Sequence, residues 1–114
     1  MHEFSIAQSI VDIVKEEMTR HKVEKLNAVN IVVGMMSGVV PQHLTACFQM
    51  IIDDSSLAGA ELKIREVPLG FHCAACGNEF TAEELVFSCP QCDEANPTLE
   101  KGRELTIENI EIAD

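Results

Sequence analysis

Residues 28–52 read AVNIVVGMMSGVVPQHLTACFQMII, and within them the period of the apolar residues changes once. Val29, Ile31 and Val33 share one face of a β-branched run that Gly34 closes, so the run reads as a strand with that face turned to a core. The turn GMMSGVVP follows. Pro41 suits the first turn of a helix, where its missing N–H is one that the helix start leaves unused. From there Leu44, Cys47, Phe48, Ile51 and Ile52 recur at steps of three and four, an amphipathic stripe that should end near DDSSLAG.

Upstream, Phe4, Ala7, Val11, Val14 and Met18 repeat the same period, widened by Ile6, Ile10 and Ile13. Ser5 with Gln8 offers a capping-box start, and Lys15, Arg20, His21 and Lys22 set positive charge near the negative helix end, which predicts a stop at residues 20–22. Downstream, AELKIREV aligns Ala60, Leu62 and Ile64 on a second strand. In ELTIENIEI, Leu105 and Ile107 hold one phase and Ile110 and Ile112 the other, so a bulge near Glu108 and Asn109 is expected. The predicted fold is α/β, with two helices packed on one face of a small three-stranded sheet and an inserted zinc-ribbon-like module of four cysteines. Residues 1–68 plus 102–114 would form the α/β domain and residues 69–101 the insert. The strand–helix–strand unit predicts a parallel pair with a right-handed crossover, within a sheet that can still be mixed.

A chain of 114 residues with 46% hydrophobic content supports one folded domain carrying a small insertion. Its net charge of −11 repels a phosphate backbone, which argues against a nucleic-acid partner. The first fifteen residues lack a basic n-region and no apolar run is long enough for a bilayer, so the protein is expected to be cytoplasmic, without membrane insertion.

In FHCAACGNEFTAEELVFSCPQCDEANP, Cys73, Cys76, Cys89 and Cys92 form two C-x-x-C knuckles, and without a secretion signal such spacing points to metal before disulfides. Two knuckles complete a tetrahedron of thiolates, and Gly77 lets the backbone turn beneath the metal. Four thiolates leave no open coordination position, which makes the site structural and not catalytic. Zinc is the expected occupant. Iron is the alternative, since similar knuckles serve rubredoxin-like electron carriers, and it would make this a coloured redox module. The insert is acidic apart from Lys101, a surface suited to a protein partner with basic patches.

The chain opens MHEFSIAQSIV. A terminus ordinarily frays and stays solvated. Yet a retained Met1 amine, the His2 and Glu3 amides and the His2 imidazole could surround one ion in a plane, an arrangement that favours Ni(II) or Cu(II). The amine and the imidazole both become available as ligands near neutral pH, so binding should release protons.

Taken together, MHEFSIAQSIV, GMMSGVVP, AELKIREVP and the two-knuckle insert resemble the HypA/HybF family of nickel-insertion accessory proteins of [NiFe]-hydrogenase maturation. The resemblance spans the whole chain in order. It implies a metallochaperone and not an enzyme, with transient Ni(II) held by Met1, His2 and Glu3, His2 being the indispensable side chain. Structural Zn(II) would be held by Cys73, Cys76, Cys89 and Cys92. It also implies a nickel-storing GTPase and a hydrogenase large-subunit precursor as partners, the chain itself being a monomer or weak dimer. Some members follow a knuckle with His, whereas Gly77 and Asp93 stand there in this sequence.

Other residues have plainer readings. Cys47 falls on the apolar stripe of the second helix as a small hydrophobe, and His72 precedes its knuckle as a bystander. Met35 and Met36 cover a core edge or a partner surface. His21 supports a helix end and His43 is exposed, either being at most an auxiliary nickel ligand. A zinc-ribbon adaptor that simply joins two proteins, indifferent to His2, is the competing function.

Overall fold

The computed structural model describes residues 2–113, leaving Met1 and Asp114 outside the described residues. Helix α1 spans Glu3–Arg20 and starts ahead of the expected cap at Ser5. The Ile6 amide donates to the His2 carbonyl at 2.9 Å, which draws Ser5 inside the first turn. Gln8 Nε2 accordingly donates to Asp12 Oδ1 at 3.0 Å instead of closing a capping box. At the other end the Val23 and Lys22 amides fold back onto the carbonyls of Met18 and Thr19, with Lys22 at φ 56° in the left-handed position usually given to glycine. That reversal delivers Val23 to the core.

The remaining elements are β1 (Leu26–Gly34), α2 (Pro41–Ile52), β2 (Glu61–Val67), β3 (Leu69–His72), β4 (Glu79–Ala82), β5 (Thr98–Lys101) and β6 (Leu105–Ile112). Strands β2, β1 and β6 form one sheet in that order, β2 parallel and β6 antiparallel to β1. The change of period read across residues 28–52 is thus a strand followed by the crossover helix of a parallel pair. The stripes of α1 and α2 close on the face of β1 that carries Val29, Ile31 and Val33, with Leu44, Phe48 and Ile52 fully buried between them.

The bulge falls where the apolar phase breaks. Asn30 pairs with Asn109 and Ile31 with Ile107, so Glu108 is the extra residue of β6. It allows Ile107 and Ile110 both to pack on the core. Glu108 and Asn109 meet the opposite face, where Arg65 donates to Glu108 at 2.8 Å and Asn30 to Asn109 at 2.8 Å. Lys63 also reaches Glu111 there at 3.1 Å. Ala28 and Val32, on this face of β1, are buried too, with Glu111 and Arg65 as their register partners on the flanking strands.

Strands β4, β3 and β5 form a second, antiparallel sheet over residues 69–101. Its apolar content is slight: Leu69, Phe71, Cys73 and Cys89 are buried, and Phe71 stacks on Phe80 at 5.2 Å. Pro68 alone separates β2 from β3, and the chain returns through residues 102–104. The two passages lie against the turn after β1. The Gly34, Met35 and Met36 amides donate to Glu104, Val67 and Gly102 carbonyls at 2.7, 3.0 and 2.6 Å. Gly34 approaches Gly102 so closely that an added Cβ would overlap its carbonyl. The molecule measures 54 × 26 × 17 Å with a radius of gyration of 17.8 Å. A single compact domain of this length would give about 13 Å, so the two sheets extend end to end.

Candidate metal centre

The two knuckles are built alike. In the first, the Gly77 amide donates to the Cys73 carbonyl at 2.8 Å and the Cys73 amide to the Asn78 carbonyl at 2.9 Å. In the second, Asp93 bonds back to Cys89 at 2.9 Å and Cys89 to Glu94 at 2.8 Å. Gly77 at φ 76° and Asp93 at φ 66° occupy equivalent left-handed positions, so glycine meets the need in one knuckle and aspartate in the other.

The four sulfur atoms lie within 4.8 Å of one another. Cys73 and Cys92 approach to 3.6 Å and Cys76 and Cys89 to 3.7 Å. A tetrahedron with metal–sulfur bonds of about 2.3 Å has edges of about 3.8 Å, so the set fits a tetrathiolate ion. Cys73 and Cys89 are buried while Cys76 and Cys92 reach solvent, leaving one side open to an entering ion. Among the described residues no other His, Cys, Asp or Glu joins this group, and His72 stays outside it.

Proton affinity is unequal across the set. Amide donors from Cys92 and Gln91, with the Asn78 side chain, hold Cys89 down at about 6 against the opposing effect of burial. The Gln91 N–H lies 3.4 Å from its sulfur. At Cys92 the Glu94 amide also favours the thiolate, but burial and the hydrogen bonds to Cys73, Cys76 and Cys89 prevail and push it up to about 12. Cys76 is raised as well, since burial and its bonds to Cys73 and Cys89 outweigh the Asn78 amide and Cys92. A metal ion entering near neutral pH therefore meets a ready thiolate at Cys89 and displaces protons from Cys76 and Cys92.

At the start of α1 His2 is the exposed N-cap, and its carbonyl accepts the first bond of the helix. Glu3 is buried, and its carboxylate Oε2 accepts the Val40 amide at 3.1 Å, binding the start of α1 to the N-cap of α2. That amide, against the opposing effect of burial, holds the Glu3 carboxyl below its ordinary value, with smaller contributions from the Glu3 amide and from His43. Met1, the third expected nickel residue, lies outside the described residues. Two contacts were not anticipated from sequence: Glu3 to Val40 joins residues remote along the chain, and Asn78 Nδ2 reaches Cys89 Sγ at 3.8 Å. An amide side chain directly after C-x-x-C-G was the available signal for the second. Cys47 packs against the core as expected.

A two-helix α/β unit joined to a ribbon whose four cysteines could hold one ion defines a small protein of the metal-binding class. The model of the family described as hydrogenase/urease nickel incorporation, metallochaperone, HypA matches residues 1–112. The chain belongs to the HypA family; it is a nickel-incorporation metallochaperone of hydrogenase maturation and not an enzyme. It is 41% identical over 116 residues to the hydrogenase maturation factor HypA of Solidesulfovibrio magneticus, covering 98% of this chain and 99% of that one. The HypA of Desulfosudis oleivorans is also 41% identical, over 118 residues and the full length of both. In fold it is similar to a solution structure of HypA protein, with a TM-score of 0.73 at 22% identity, covering 99% and 97% of the two chains. It is likewise similar to the Ni metallochaperone HypA from Helicobacter pylori, with a TM-score of 0.66 at 22% identity, covering 98% and 97%. No helix among the described residues is long and apolar enough to cross a membrane.

Proposed function

We propose that this protein carries Ni(II) at its amino terminus and passes it to a partner for insertion into the [NiFe]-hydrogenase large-subunit precursor. Exposure of His2 directly before α1 is the observation that carries the reading. In this reading the Met1 amine, the His2 and Glu3 amides and the His2 imidazole surround the ion in a plane. The Glu3 carboxylate, engaged with Val40, steadies the first turn beneath it. An exposed chelate loads readily and releases by ligand exchange, first with a nickel-storing GTPase and then with the precursor, in the cytoplasm. Cys73, Cys76, Cys89 and Cys92 hold structural Zn(II), whose closed coordination keeps it out of the exchange. The chain divides at this job as residues 1–68 plus 102–114 for nickel and residues 69–101 for zinc.

The test is calorimetric Ni(II) titration of tag-free protein beginning at Met1, beside His2→Ala and a form extended by one N-terminal glycine. Wild type should bind about one equivalent, with proton release, and both variants should lose it while keeping zinc and fold. Equal binding by all three would overturn the terminal site and leave the adaptor reading. A visible charge-transfer band in purified protein would identify iron at the thiolates in place of zinc.

A further inference from the structure

The junction between the two sheets carries an apolar cluster that neither core absorbs. Met35, Leu85 and Val86, with Ala82, Glu83 and Glu84, line an open concavity of about 590 Å³. Leu85 is 48% exposed and the following Phe87 is 72% exposed, although the insert has few apolar residues for its own core. The backbone fixes the segment that carries Phe87, directly after the lining residue Val86. The Phe87 carbonyl accepts the Asn96 amide at 2.9 Å, and the adjoining Ser88 bridges to Ala95 beside the Cys89 knuckle. Contact residues fixed in advance lose little freedom when a partner arrives.

The surrounding charge is predominantly negative, with Lys101 and Arg103 the cations beside Gly102. Residues 69–101 contain six carboxylates against Lys101, net −5, and none of the six forms an ion pair among the described residues. Two of them, Glu83 and Glu84, line the concavity itself. A second copy would bring like charge to the same place, and nucleic acid or an anionic membrane would be repelled. We infer that this junction is a docking surface for a cationic segment of a partner protein, one that places apolar side chains against Met35, Leu85 and Phe87 between flanking Lys or Arg residues. Apolar anchors fix position and the acidic rim selects and steers the approaching chain.

The probe is a synthetic peptide of about 14 residues, roughly four helical turns, with Leu and Phe on one face and Lys elsewhere. It is titrated into the full metal-loaded chain labelled with ¹⁵N. Amide shifts should gather at residues 35–36 and 82–87. Phe87→Ser, at an exposed site that leaves zinc content unchanged, should weaken binding about tenfold. Glu83→Gln with Glu84→Gln should weaken it and flatten its salt dependence between about 50 and 300 mM. A Gln-for-apolar peptide should bind poorly, and so should a Glu-for-Lys peptide. His2→Ala should bind the probe like wild type, so failure of the nickel site and of this surface are told apart. Equal binding of the charge-only peptide would overturn the inference. Indifference to Phe87→Ser would do the same, as would shifts centred on the groove between α1 and β6 at Ile13, Leu105 and Ile107.

Discussion

Glu3 is the residue at which the amino terminus is tied to the rest of the protein. Its carboxyl is more acidic in the fold than in the unfolded chain, so the stability it contributes is complete above the unfolded value and lost as pH falls through the folded one. Glu3→Gln should flatten that acid limb in urea unfolding measured at a series of pH values below about 5, while the neutral plateau keeps its shape. A parallel acid limb in both proteins would show that the Val40 bond contributes nothing. The four cysteines were legible in the sequence because ligand spacing is local and the tetrahedron fixes its own partners. The bond from Glu3 to Val40 was not, because no periodicity relates two residues brought together only by the packing of α1 on α2.

Among the elements, α2 gathers its burial at Leu44, Phe48 and Ile52, each wholly shielded. Phe48→Ala should cost about 3–5 kcal/mol in urea unfolding with little change in slope, the penalty of an unfilled cavity beneath two helices. The end of α1 offers the opposite experiment. Lys22 holds a left-handed conformation that glycine adopts freely, so Lys22→Gly should raise stability by about 0.5–1 kcal/mol in the same assay. The long elements could be read because each has a sustained period, and the bulge could be read because the period breaks at Glu108. The sheet of the insert could not. Its strands have four residues each, too few to establish a period, and β3 is buried at three successive positions, so no alternation marks it.

At the scale of the whole molecule, two units with unequal cores meet at Gly34 and Gly102. Chelation should therefore unfold residues 69–101 first, seen as lost amide dispersion in that segment alone while the α/β core keeps its own thermal transition. Gly34→Ala should force the passages apart and speed hydrogen exchange at the Met36 amide about tenfold or more with metal content unchanged. The elongated shape was not visible in the sequence, since composition fixes how much apolar surface must be buried and not the number of centres that bury it. The bulge at Glu108 has a consequence at this scale too. Strands β2 and β6 are the free edges of the main sheet, and an open edge invites neighbouring chains to zip on and precipitate. One edge alternates Glu61, Lys63 and Arg65 along its length, and the other is kinked out of straight register midway. The same extra residue that reconciles two apolar phases thus acts as a guard against aggregation.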